Sequence, residues 1–316
     1  MEQLRILIGE PKNFSEAAIR ALQRVGEVVL KDATSQLDLP VALNEFDAVF
    51  LRLKTRITRD LLPLQPRCRF LAVPTTGLDH IDLGACAERG IEIISLRGER
   101  EFLNTVRATA EHTIALTLSL MRNLPQAVES VRRGEWDRDR FRGRELYGKT
   151  AGIVGMGRLG SMTARYFHAF GMQVIGYDIR NEVAPSPAVR VNRLEELLEH
   201  SDLVSVHVNY TDETHHLINN AAFARMRPGA VLINTSRGAV VDEVALLEVL
   251  QSGRLAGAAL DVLEGEPCID NDHPVLRYAQ TNANVLITPH IGGNTFESLE
   301  KTELFVAKRL LSKLGF

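Results

Sequence analysis

Cysteine, tryptophan and net charge are all scarce in this sequence, and each scarcity excludes something. Its three cysteines, Cys68, Cys86 and Cys268, are odd in number and scattered, with no Cys-x-x-Cys pair. That pattern argues against a disulfide framework and for reduced thiols. A formal charge of -3 provides no broad field to attract nucleic acid or an anionic membrane. No apolar run approaches the ~18 residues of a spanning helix. There is no His-Glu-x-x-His, EF-hand loop or cysteine–histidine set, so no metal is expected. Ser236 lacks a Gly-x-Ser-x-Gly setting, which leaves a serine hydrolase poorly supported. The chain enters the apolar residues 4–8 without a basic-then-apolar leader, and the expectation is a cytoplasmic protein.

What is present is ordinary globular material. The 316 residues are 45% hydrophobic, enough for two domains with sizeable cores. Short apolar runs at 4–8, 27–30, 48–51, 70–73 and 91–94 alternate with amphipathic segments at 15–25, 58–62 and 81–89. Strands alternating with helices indicate a parallel sheet covered on both faces. A long helix-like segment over 104–122 then reads as a domain linker or an oligomer-forming helix. Residues 132–145 are densely charged, carry the only tryptophan, Trp136, and read as a solvated face. The alternation restarts at Gly148, with strand candidates at 151–154, 173–177, 203–207, 230–234, 256–260 and 285–288. Six strands is the count of a full doubly wound dinucleotide-binding sheet. Residues 295–316 form one helix, too short for a domain, expected to pack back on the first one.

The glycine cluster Gly155-Met156-Gly157-Arg158-Leu159-Gly160 follows the first strand of this second series and precedes a helix. One glycine allows a tight turn, one lets backbone approach a pyrophosphate, and one lets helix pack on strand. Asp178 ends the next strand, where a carboxylate bonds the ribose hydroxyls and repels a 2′-phosphate. This favours NAD over NADP, with Arg180 nearby softening the preference.

In open α/β sheets the ligand lies beyond the carboxyl ends of the strands. At those ends stand Asn234-Thr235-Ser236-Arg237-Gly238, then Asp261 with Glu264-Gly265-Glu266-Pro267, then Pro289-His290-Ile291-Gly292-Gly293. An arginine, a glutamate and a histidine thus come from adjacent strand ends. Most other histidines, including His215, His216, His168 and His200, need no role beyond surface or packing.

At these residues the chain resembles the D-isomer-specific 2-hydroxyacid dehydrogenases, the group containing phosphoglycerate dehydrogenase and glyoxylate/hydroxypyruvate reductase. The likeness covers nearly the whole chain and includes Thr76-Gly77-Leu78-Asp79-His80-Ile81-Asp82 and Glu145-Leu146-Tyr147-Gly148-Lys149-Thr150. It implies a Rossmann-type doubly wound parallel sheet over residues 99–293, binding NAD. That domain would be inserted into a smaller flavodoxin-like α/β substrate domain made of 1–98 and 294–316. It also implies a homodimer formed largely through the nucleotide domains, and a catalytic trio of Arg237, Glu266 and His290. Carried onto this sequence, cofactor contacts would come from Gly155, Gly157, Arg158, Leu159, Gly160, Asp178, Thr235, Ser236, Asp261, Gly292 and Gly293. Where members of the family often have Pro-Leu, this chain has Asn209-Tyr210. The loop Arg52-Leu53-Lys54-Thr55-Arg56 is unusually basic and suits an extra anionic group. No regulatory domain is expected after residue 316.

Reduction of a 2-keto acid requires a held carboxylate, a polarised carbonyl and a proton for the developing alkoxide. Arg237 suits the first two tasks and His290 the third. Glu266 would orient the ring. Backbone amides around Lys54 and Gly77 are expected to bind the substrate anion. Two other readings stay open: an NADPH-preferring reductase on the same scaffold, and a nucleotide-sensing, corepressor-like scaffold without turnover. The substrate among small 2-keto acids has no readable code.

Overall fold

The computed structural model describes residues 4–180 and 187–316. The described chain divides into two units, Met1–Val106 with Asn294–Phe316, and Arg107–Gly293. Each is built on its own parallel sheet.

The first unit carries β1 (Leu4–Ile8), β2 (Gly26–Leu30), β3 (Ala48–Phe50), β4 (Phe70–Val73) and β5 (Glu92–Ser95). Their order is β2-β1-β3-β4-β5, the flavodoxin-like arrangement. Because side chains alternate along a strand, each face gathers its own core. Leu7, Val49, Leu71 and Val73 pack with Leu39, Leu43 and Cys86. Ile6, Ile8, Phe50 and Ala72 meet Ala18, Leu22, Val306 and Leu310. The last two belong to the helix Phe296–Lys313, whose N-cap Thr295 accepts from the Ser298 N–H.

Two elements differ from expectation. Residues 58–62 hold only a short 3-10 turn, Arg59–Leu61. The helix between β2 and β3 is instead Asp38–Glu45. Its N-cap residue, Leu37, carries no capping side chain, which removes the usual signal for a helix start. Residues 99–106, expected with the nucleotide domain, fall in the first unit. There Leu103 is buried beside Val306 and Leu310, and Phe102 stacks on Phe305 with centroids 4.0 Å apart.

The second unit carries β6 (Thr150–Val154), β7 (Gln173–Tyr177), β8 (Val189–Arg190), β9 (Leu203–Val206), β10 (Val231–Asn234), β11 (Gly257–Leu260) and β12 (Val285–Ile287). The order β12-β11-β10-β9-β6-β7-β8 contains the Rossmann order as β8-β7-β6-β9-β10-β11, with β12 beyond it at one edge, and it reverses between β6 and β9. Seven strands replace the six expected; the addition is β8, a two-residue edge strand. The helix Ala108–Met121, over the segment read as a linker or oligomer helix, opens this unit just past the boundary, and its Leu116, Leu120 and Met121 pack in the core with Ala164 and Phe167 of the helix Arg158–Ala169. Among the described residues no helix is long and apolar enough to cross a membrane.

Candidate active site

The glycine loop joins β6 to the helix Arg158–Ala169 with almost no spare room. Gly155 has φ +94, and a Cβ there would meet the His207 carbonyl at 2.8 Å. At Gly160 a Cβ would lie 2.0 Å from the Gly155 carbonyl oxygen. Gly157 differs: its nearest neighbour is an Arg180 nitrogen at 3.9 Å, which leaves that side open. Gly157 is also the N-cap and supplies no capping side chain, and the positive end of a twelve-residue helix dipole there favours an anion. Arg158 opens that helix, and burial lowers its pKa. These features fit a dinucleotide pyrophosphate.

Asp178 follows β7 and accepts the Met156 N–H at 2.9 Å. Arg180 grips it in a fork, Nε to Oδ1 and Nη2 to Oδ2, both at 2.9 Å. The Arg180 side chain is the main reason the Asp178 carboxyl lies below its ordinary range. The acid and the arginine singled out from sequence are therefore one bidentate pair.

Beyond β10, the buried Asn234 organises the next loop. Its Oδ1 accepts the Ser236 N–H at 3.0 Å and hydroxyl at 2.7 Å, while its Nδ2 donates to the Arg237 carbonyl at 2.9 Å. Arg237 Nη1 donates to the Ser236 carbonyl at 2.8 Å. Gly238 must be glycine, because a Cβ would lie 2.0 Å from the Leu263 carbonyl carbon. This close approach brings the Arg237 loop against the segment that leads to Glu266.

After β11 and β12 come Glu266 and His290. His290 Nδ1 lies 2.9 Å from Glu266 Oε1, and each side chain keeps about a quarter of its surface exposed. His290 adopts φ +53, a strained value for a non-glycine residue. The strain is held by bonds from its own N–H to the carbonyls of Asp261 at 2.8 Å and Thr288 at 3.0 Å.

Asp261 is the hub of this turn. Its Oδ1 accepts from the Thr288 hydroxyl at 2.6 Å and the Ile291 N–H at 2.9 Å, and its Oδ2 from the Gly292 N–H at 2.7 Å. Burial pushes its pKa up, but the bonds from His112, Thr288, Ile291 and Gly292 outweigh that, and the net shift is downward.

Two residues that the sequence reading missed belong here. His112 Nε2 lies 3.2 Å from Asp261 Oδ1 and 3.0 Å from the Thr288 hydroxyl. A contact across 149 positions leaves no local signal. His207 follows β9 at the point where strand order reverses, with its Nε2 2.8 Å from the Ser205 hydroxyl. Burial lowers it to about 4, so it stands neutral. Its position at a strand end beside the glycine loop was the available clue. Thr235 is buried and its hydroxyl meets that of Thr113 at 2.9 Å. Leu159 is the second residue of the helix Arg158–Ala169, and Gly293 is exposed on the turn after His290.

The remaining expected residues, Lys54 and Gly77, lie in the first unit after β3 and β4. The basic loop around Lys54 offers less charge than its sequence suggested. Arg52 turns inward, Nη2 donating to the Glu10 and Lys12 carbonyls at 2.8 Å and Nη1 lying 3.4 Å from the buried Glu303. Lys54 and Arg56 remain exposed.

A Rossmann-type sheet with a dinucleotide loop and a paired histidine and glutamate at neighbouring strand ends defines the class. Residues 114–292 match the family described as D-isomer specific 2-hydroxyacid dehydrogenase, NAD binding domain. The chain belongs to the D-isomer-specific 2-hydroxyacid dehydrogenase family. It is 38% identical over 310 residues to D-3-phosphoglycerate dehydrogenase of Methanocaldococcus jannaschii, covering 97% of this chain and 57% of that one. The chain thus spans little more than half the length of that relative. Hydroxypyruvate reductase of Thermotoga maritima is 31% identical over 316 residues, covering all of both chains. The solved D-lactate dehydrogenase of Aquifex aeolicus, complexed with NAD and lactic acid, superposes with a TM-score of 0.84 at 31% identity, covering 98% of this chain and 95% of that one.

Proposed function

We propose that this chain is a dehydrogenase that interconverts a small 2-keto acid and its D-2-hydroxy acid with NAD(H). The observation that carries the reading is the 2.9 Å contact between His290 Nδ1 and Glu266 Oε1, on a turn whose backbone is fixed by Asp261. Bound nicotinamide would supply or accept the hydride at the substrate C2.

The residues perform the rest. Glu266 accepts the Nδ1–H of His290, which orients the ring and leaves Nε2 as the nitrogen that exchanges a proton with substrate. In reduction Nε2–H passes to the carbonyl oxygen, which becomes the hydroxyl; in oxidation the neutral ring takes that proton back. Arg237 grips the carboxylate and polarises the carbonyl with its planar fork. Lys54 and Gly77 are assigned to the substrate anion. Asp178 bonds the adenosine ribose, and Gly155 and Gly157 of the loop, with Arg158, Leu159 and Gly160 of the first helical turn, take the pyrophosphate. Thr235, Ser236, Asp261, Gly292 and Gly293 are assigned to the nicotinamide side.

A second cofactor reading rests on the Asp178–Arg180 fork. A guanidinium already on the carboxylate, 3.9 Å from the Gly157 Cβ position, is placed to swing onto a 2′-phosphate, and it softens the preference for NAD. A scaffold without turnover is the remaining alternative. The exposed apolar residues Leu124, Val128, Val131 and Trp136 support a homodimer.

The test is a panel of glyoxylate, hydroxypyruvate, 3-phosphohydroxypyruvate, pyruvate and bulkier 2-keto acids, each with NADH and with NADPH, followed by loss of nicotinamide absorbance. Turnover of at least one acid, faster with NADH, is expected. No turnover with either cofactor would point to the scaffold, and a higher kcat/KM with NADPH to the second cofactor reading.

A further inference from the structure

A separate group of polar side chains lies on the segment after β9 and on the turn ahead of Glu266. His216 Nε2 stands 2.9 Å from Glu264 Oε2. The His215 ring stacks on that of His216, centroids 3.9 Å apart. One ligating atom from each of His215, His216 and Glu264 lies within 4.8 Å of the other two.

Both segments are pinned in place. His216 has φ +47, and its N–H donates to the Ala239 carbonyl at 2.8 Å. Two residues on, the Ile218 N–H reaches the Val240 carbonyl at 3.1 Å. The Glu264 N–H donates to Glu243 Oε1 at 2.8 Å, and Glu243 Oε2 lies 3.2 Å from His273 Nε2. His216, Glu243, Glu264 and His273 line a cleft of about 220 Å³.

We propose that His215, His216 and Glu264 form a three-ligand site for a divalent transition metal of the zinc class, with water in the fourth position. Two imidazoles and one carboxylate are donors that zinc accepts, and three protein ligands plus water make an open tetrahedral centre. Such a centre needs donor atoms about 3.3 Å apart, and binding would turn the His215 ring out of its stack on His216 so that both in-plane lone pairs meet one ion. His215 also meets Tyr210, its Nδ1 lying 3.5 Å from the Tyr210 hydroxyl, and a metal would draw that ring and the His216–Glu264 pair onto one centre. The sequence showed no such motif because Glu264 is far from the adjacent histidines in the chain. The ion would tie the segment after β9 to the turn that carries Glu266.

The test uses the full chain, stripped with chelator and titrated with Zn²⁺ alone by calorimetry, and with Co²⁺ followed by visible absorption. One saturable site per chain is expected, with the intense ligand-field bands of tetrahedral Co²⁺, their displacement by Zn²⁺, and a higher melting temperature with Zn²⁺. His215→Ala changes an exposed side chain and keeps the fold; it and Glu264→Gln should each weaken binding by about tenfold or more. Cys268→Ser, at an exposed thiol outside the set, should change nothing. Absence of saturable binding in the unmodified chain overturns the proposal, and so does undiminished binding in either His215→Ala or Glu264→Gln.

Discussion

Asp261 Oδ2 accepts the Gly292 N–H at 2.7 Å, and a Cβ on Gly292 would lie 2.9 Å from that same oxygen. A carboxylate seated this closely on a glycine turn fixes the path of the chain on either side of it, including the strained backbone of His290. The geometry of the candidate proton donor therefore depends on a buried acid that does not touch it through its side chain.

Asp261→Asn should loosen that turn. An amide cannot accept from every donor now facing the carboxylate, and leaving a buried N–H unmet costs about 1–3 kcal/mol. Asp261 titrates below its ordinary value of 3.8, so its stabilisation is present above that pH and is lost as the pH falls through its folded pKa. Melting curves should show the variant several degrees lower at neutral pH and the gap closing in strong acid. An unchanged melting temperature at neutral pH contradicts the role given to Asp261.

Glu266→Gln and Glu266→Ala should separate orientation from charge. Glutamine can still accept from the ring Nδ1–H, whereas alanine cannot. Reduction should lose roughly 10- to 100-fold in kcat with Gln and more with Ala, with KM for NADH little moved. Equal rates in the two variants would show that the 2.9 Å contact does not orient the ring.

The first unit offers a pH effect of its own. Glu303 is fully buried, and burial pushes its pKa up from 4.5 to about 7, against the Ser15 N–H and Arg52. A carboxyl raised on folding binds more protons in the native state than in the unfolded one. Its contribution is greatest below about 4.5 and disappears as the pH rises through about 7, a change on the order of 3 kcal/mol. Glu303→Gln should flatten the decline of stability over that window, measured by urea unfolding. Parallel profiles for the two proteins would contradict the assignment.

The apolar side chains Leu124, Val128 and Val131 are each about half exposed, and Trp136 is 90% exposed. If this face closes a homodimer, Val128→Glu with Trp136→Ser should give a monomer in sedimentation measurements. The lone tryptophan also reports directly, because its emission should shift to the blue on association. A dimer mass retained by the double variant places the interface elsewhere.

The fold was legible where local signals agree. Apolar runs such as Phe70–Val73 are buried from end to end, and parallel strands buried on both faces read as continuous hydrophobic segments. Strand ends are legible for the same reason, and Arg237, Asp261, Glu266 and His290 all follow such ends. What escaped lacks a local cause. β8 has two residues and no hydrophobic pattern of its own. Arg52 shows its charge in the sequence but not its turn inward to Glu10 and Glu303, which depends on a helix some 250 positions away. His112 reaches Asp261 only after the sheet has formed.

The most direct test of the central claim compares His290→Ala with the unmodified chain on the best 2-keto acid, measuring kcat and, separately, NADH binding by fluorescence. The account predicts a kcat lower by roughly 100-fold or more, with NADH affinity nearly unchanged and stability intact. Undiminished turnover in His290→Ala would contradict it.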